Sequence, residues 1–166
     1  MRIIKLIIIS IVSLLLIITI ISLFIPSHVT ISRMVQINAS KERVMEQLSH
    51  PANWKNWYPG ADSAEYFFQD GTVRGLVLNK RKHHYIIIAQ EKKDEIVAEY
   101  VLPKKKILTG WELVSSTDST SVTVQWYMDF HLRWYPWEKF SSFVFERIYH
   151  PQLEKGLNNL KTLLEK

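Results

Sequence analysis

The sequence predicts an α+β architecture: one transmembrane helix, then a curved antiparallel sheet of about seven strands around a long C-terminal helix. Three observations carry this. An uncharged apolar run opens the chain, two-residue alternation dominates its middle, and a helical stripe of leucines closes it. Strands come consecutively and share no pattern with intervening long helices, which excludes a parallel α/β sheet.

Leu6–Ile25 is 20 residues without a charge, 16 of them apolar, broken only by Ser10, Ser13, Thr19 and Ser22. At about 1.5 Å per residue this makes roughly 30 Å of helix, the thickness of a bilayer's hydrocarbon core. Pro26 ends it. A cleaved signal peptide would have a shorter apolar run followed by small residues, and Ile21–Ile25 is too bulky for a cleavage site. The expected division is therefore residues 1–26 as a membrane anchor and 27–166 as one domain. Arg2 and Lys5 precede the span, so the domain is expected on the outer (periplasmic or extracellular) face.

The net charge of +5 falls to +3 once Arg2 and Lys5 are set aside. Nucleic-acid binding requires a denser basic face than Lys80-Arg81-Lys82 or Lys104-Lys105-Lys106 supplies. There is no cysteine, hence no disulfide, thiol nucleophile or thiolate metal site.

After the anchor, residues 29–37 alternate as a strand. Asn38-Ala39-Ser40 offers capping oxygens to a helix over Lys41–Ser49, which Pro51 terminates. A helical turn or two is expected over Ala52–Tyr58, stopped by Pro59-Gly60. Strands follow over 64–69, 72–79, 83–90, 95–102, 107–115 and 121–132, with Asp70-Gly71 as a hairpin turn and Ser116–Ser119 as a polar turn. The last strand is the clearest. Val122, Val124, Trp126, Met128, Phe130 and Leu132 share one face, leaving Asp129 and His131 on the polar face. The final helix is expected to bury Phe140, Val144, Ile148, Leu153, Leu157, Leu160 and Leu164, with a kink or break at Pro151 and a close helix–sheet approach at Gly156.

Three segments carry a family resemblance. Val35-Gln36-Ile37-Asn38-Ala39-Ser40-Lys41-Glu42-Arg43-Val44 resembles a first strand entering an I-N-A-x-x-E-x-V helix. Pro51–Pro59 is similar to an x-x-N-W-x-x-W-x-P segment, and Glu154–Lys161 to a terminal E-x-G-L-x-N-L-K. In this order they resemble the START-like (SRPBCC) superfamily, in its polyketide cyclase/dehydrase and lipid-transport branch with the helix-grip fold. The resemblance implies a cavity between sheet and helix for an apolar or amphipathic molecule. It implies no cofactor and no shared catalytic set.

Tyr100, Trp111, Trp126, Met128, Phe140 and Val144 are the expected ligand-binding residues, and the same positions read equally well as solid core. Trp54 and Trp57 read as a plug for the end of the core, with a ligand gate as the alternative. Trp134-Tyr135-Pro136-Trp137 reads as a core cap, an opening's lid or an interfacial belt. Glu46/His50 and Glu146/His150 are spaced for a shared helix face but lack a third metal ligand, and adjacent His83 and His84 point apart. The expected partners are the membrane, through residues 6–25, and a lipid-like small molecule. A cyclase, isomerase or hydrolase using polar groups in the cavity, and an interaction module with a vestigial cavity, are the alternatives.

Overall fold

Alternation in the strands and capping at the helices produce the expected elements in the computed structural model, which describes residues 2–115 and 121–166. The order is α1 (Arg2–Leu23), β1 (His28–Ile37), α2 (Lys41–Ser49), a 3₁₀ helix (Pro51–Asn56), β2 (Glu65–Gln69), β3 (Thr72–Asn79), β4 (His84–Glu91), β5 (Glu95–Leu102), β6 (Lys105–Ser115), β7 (Val122–His131) and α3 (Pro136–Leu164). The seven strands form one antiparallel sheet in the order β1-β7-β6-β5-β4-β3-β2. The first strand thus closes beside the last, from His28 opposite His131 to Ile37 opposite Val122. The expected turn at Ser116–Ser119 lies outside the described residues.

Local chemistry explains the boundaries. Ser40 is extended, and its hydroxyl accepts from the Arg43 N–H at 3.5 Å to cap α2. Asp70 and Gly71 both have positive φ, 52° and 77°, the conformation a two-residue hairpin turn requires. On β7, Val122, Val124, Trp126, Met128 and Phe130 are buried, while Asp129 lies on the opposite, convex face. There Asp129 accepts from the Thr30 hydroxyl, and His131 stacks on His28 at 4.6 Å, so this pair stays outside as the alternation predicts.

α3 rests on the concave face, chiefly across β1. Its second half buries Leu153, Gly156, Leu157, Leu160 and Leu164, as expected. Its first half departs from expectation. Phe145 is buried and Tyr149 packs against the core, whereas Val144 and Ile148 are 48% and 51% exposed. Pro151 does not divide the helix, so one phase runs through it, and stepping back by four from Leu153 leads to Tyr149 and Phe145. Their rings lie 4.9 and 4.5 Å from that of Phe130 on β7.

α3 approaches the sheet most closely at Gly156. A Cβ there would lie 2.3 Å from the Trp126 ring and 2.9 Å from Pro59 Cδ. Trp126 cannot retreat, because its indole N–H donates to the buried Thr109 hydroxyl at 2.9 Å, which donates in turn to Tyr127 O. On the convex face, the Tyr127 hydroxyl donates to Glu95 at 2.6 Å, and Lys92 donates to the same carboxylate. These bonds, the one from Lys92 foremost, hold the Glu95 carboxyl below the usual range.

Two outcomes follow from this packing. Gly156→Ala gains about 1 kcal/mol of helix propensity but overpacks Trp126 at a cost of about 1–3 kcal/mol, for a net loss of up to about 2 kcal/mol in denaturant unfolding of the full chain. Glu95 titrates lower folded than unfolded, so its stabilisation is complete above the ordinary carboxylate range and disappears as pH falls through the folded pKa. Tyr127→Phe should move that loss to higher pH, which an NMR titration of the Glu95 carboxyl reads directly.

Candidate functional site

The concave face is filled at its middle and open at one end. Trp54 and Trp57 descend from the 3₁₀ helix, and Tyr58 follows them. The Trp54 indole donates to Leu48 O at 2.8 Å, which fixes this segment to the end of α2. Trp54, Trp57, Trp111 and Trp126 are all at most 2% exposed. Trp111 lies 5.2 Å from Trp54, 5.6 Å from Trp57 and 5.3 Å from Trp126, ring centre to ring centre. Trp57 meets Trp111 at 83° and Trp126 at 79°, the edge-to-face geometry in which a polarised ring edge approaches a π face. The indole N–H groups of Trp57 and Trp111 are buried without an oxygen partner. The expected gap behind Trp111 and Trp126 is therefore packed, because the 3₁₀ segment occupies it.

Beyond this cluster, the turn of α3 containing Pro151 and the ends of β3, β4 and β5 border an open cavity of about 440 Å³. Tyr58, Leu78 and Tyr100 supply its apolar surface, while His84, Gln152 and Lys155 stand among its polar groups. Register explains how they meet. Tyr100 pairs with Ile86 and Ile107, placing it in phase with the buried residues of β4 and β6. His84 precedes Ile86 and Ile88 on the same alternating face, and its ring lies 6.3 Å from that of Tyr100. Burial, with Tyr100 nearby, pushes the Tyr58 phenol above its usual range, and burial does the same to Tyr100. Both hydroxyls therefore stay protonated at neutral pH, suited to hydrogen bonding rather than to acting as bases.

Of the residues expected to bind a ligand, Tyr100 lines this cavity. Trp111, Trp126 and Met128 are buried in the core, Phe140 is half-buried, and Val144 is exposed on the outer side of α3. The sequence marks His84 only as a metal-ligand candidate that points away from His83, and it does not mark Gln152 or Lys155 for a site. His84 carried a usable signal, its two-residue spacing from Ile86 and Ile88.

A second groove, of about 480 Å³, lies between the exit of α1, the outer edge of β1 and α3, with Val29, Ile31 and Phe143 on its walls. Arg33 donates there to Glu146 at 3.0 Å and lies 2.5 Å from His150 Nδ1. The spaced Glu146 and His150 are thus held by a guanidinium, and His50 Nδ1 lies 3.1 Å from the Glu46 carbonyl oxygen. Among the described residues, no three His, Asp or Glu side chains gather as a metal site.

The model of the polyketide cyclase/dehydrase and lipid transport family matches residues 28–165. No curated protein matches the sequence. Among solved structures, an uncharacterised protein from Bacillus thuringiensis superposes with a TM-score of 0.63 at 14% identity, covering 83% of this chain and 100% of that one. A START superfamily protein from Mycobacterium smegmatis gives 0.58 at 16% identity, covering 82% and 97%. Norcoclaurine synthase from Thalictrum flavum gives 0.60 at 14% identity, covering 82% and 92%. At these identities the likeness speaks for the fold alone. With the family match over 28–165 and a seven-stranded sheet closed by one long helix, the chain belongs to the polyketide cyclase/dehydrase and lipid-transport family and has the START-like fold.

Proposed function

We propose that this protein binds a lipid-like, amphipathic small molecule in the cavity under Pro151 while α1 tethers it to a bilayer. The observation that carries the reading is the composition of that cavity. An apolar interior of Tyr58, Leu78 and Tyr100 sits behind polar groups of His84, Gln152 and Lys155, within about 440 Å³. Small-molecule sites fall in the range of about 300–1,000 Å³ and combine apolar walls with a few orienting polar groups. Tail burial against the tyrosines and headgroup contact with Lys155 suit a molecule with one end of each kind.

The tether reading rests on α1. It is long and apolar enough to cross a membrane, and nearly every side chain from Ile3 to Ile21 is exposed rather than packed against the sheet. Exposure of this kind is unfavourable in water and favourable in lipid. Residues 1–26 then act as the anchor and 27–166 as the binding domain, with the domain on the outer face because Arg2 and Lys5 stay inside.

An enzymatic reading, a cyclase or isomerase, would place His84 and Lys155 at the reacting end of the same cavity. Nothing in the cavity's lining pairs either group with an activating partner, so binding is the reading preferred here.

The test uses the full chain in lipid nanodiscs and a diazirine-bearing fatty acid as photocrosslinking probe. Adducts are expected on β5 near Tyr100 and on α3 at 151–155, and Leu78→Trp, which fills the cavity, should remove most of them. Adducts confined to α1, unchanged by Leu78→Trp, would reject the binding site.

A further inference from the structure

The first half of α3 carries an apolar face that nothing in the fold covers. Trp137 is 69% exposed and Phe143 70%, alongside the half-exposed Val144 and Ile148, and Trp134 just before the helix is 63% exposed. Trp137, Val144 and Ile148 recur at spacings of seven and four, so they share one side of the helix. Glu146 and Arg147 are also exposed in this half but lie off that side of the helix, and after Pro151 the exposed positions include Glu154, Lys155, Asn158 and Asn159. A helix facing water throughout would show the second composition along its whole length.

The apolar half is the half fastened to α1. Lys139, in the first turn of α3, is 4% exposed, and its ammonium donates to the Ile25 carbonyl at 2.7 Å and the Ser27 hydroxyl at 2.6 Å. A buried ammonium persists only when paired in this way, and a carbonyl just beyond a helix C-terminus is a favourable partner. Ser27 O also accepts from the Leu132 N–H at 2.7 Å. Ser22, in the last turn of α1, is fully buried beside otherwise exposed neighbours. The end of α1 is thus bolted to the start of α3, and Phe24 projects from the joint at 86% exposure.

We infer that the outer face of α3 from Trp137 to Ile148 is a lipid-contact surface. Trp134 and Trp137 sit at headgroup level beside the end of α1, and Phe143 and Val144 meet the acyl chains. The inference depends on α1 spanning a bilayer. The bilayer is the occupant because the face continues directly from the apolar end of α1, and because tryptophan at such a boundary is favoured by its amphipathic ring.

The chain has no cysteine, so single labels can be placed cleanly. Spin labels at Leu15→Cys in α1, Trp137→Cys, Val144→Cys, Ile148→Cys and, as a reference on β2, Phe68→Cys are compared in the full chain. The membrane is a phosphatidylcholine/phosphatidylglycerol vesicle, and collision with oxygen and with a water-soluble nickel chelate is measured. Labels at 15, 144 and 148 should be reached by oxygen, with nickel collision roughly tenfold below that of Phe68→Cys, since hydrated ions are excluded from hydrocarbon, while the label at 137, at headgroup level, should fall between them and Phe68→Cys. Leu15→Cys shielded from nickel with Val144→Cys open to it overturns the surface and leaves the tether standing. Leu15→Cys open to nickel removes the tether itself. Val144→Cys closed to both probes means a second copy covers the face, which also overturns the inference. The unlabelled chain gives a check independent of substitution at the joint. Its two exposed tryptophans, Trp134 and Trp137, should be quenched by brominated lipid, and absence of quenching counts against the surface.

Discussion

The contact of Gly156 with Trp126 sets the spacing on which the rest of the concave face depends. With no side chain at 156, α3 settles onto the indole of β7, and everything between helix and sheet is fitted to that distance. Trp126 is immobile because Thr109 holds its N–H, and Thr109 is tied back to β7. Trp57 packs edge to face on both Trp126 and Trp111, Trp111 lies tilted at 40° to Trp126, and Trp54 joins Trp111, so four buried indoles share one volume. What stays open is the one region these rings do not reach, beneath Pro151 and beside Tyr100. The cavity is a remainder of the packing.

Much of the fold was legible because its signals are local. Alternation on β7 follows from the pleat, and Asp70-Gly71 is readable from the positive φ both residues adopt. The helix at Lys41–Ser49 emerged from its serine cap and the proline after it. The phase of α3's first half was not legible for an equally physical reason. Phe140, Phe143, Val144, Phe145, Ile148 and Tyr149 surround the helix, so its sequence is apolar on nearly every side. Only the position of Phe130, remote in sequence, selects Phe145 and Tyr149 as the buried pair.

The site was legible to a lesser extent. Large aromatics facing inward on neighbouring strands are evident from spacing, yet spacing says nothing about whether another segment fills the room beside them. Trp54 and Trp57 do fill it, and so Trp111 and Trp126 become interior while Tyr100, at the far end of β5, keeps a free surface. Volume is a property of the assembled layers. The polar groups at the mouth come from β4 and α3, elements that no local pattern brings together.

The joint at Lys139 has a mechanical consequence. Only Phe24, Ile25, Pro26 and Ser27 separate α1 from β1, at most about 14 Å of extended chain. Hydrogen bonds from Lys139 and Leu132 take up the slack in that short piece. A protein on a long leash samples a hemisphere above its anchoring point, and its binding pocket faces every direction in turn. With α1 in a bilayer, as proposed, the opening would keep a set height and azimuth relative to α1, so search would reduce to lateral diffusion in a plane and to rotation about a single axis.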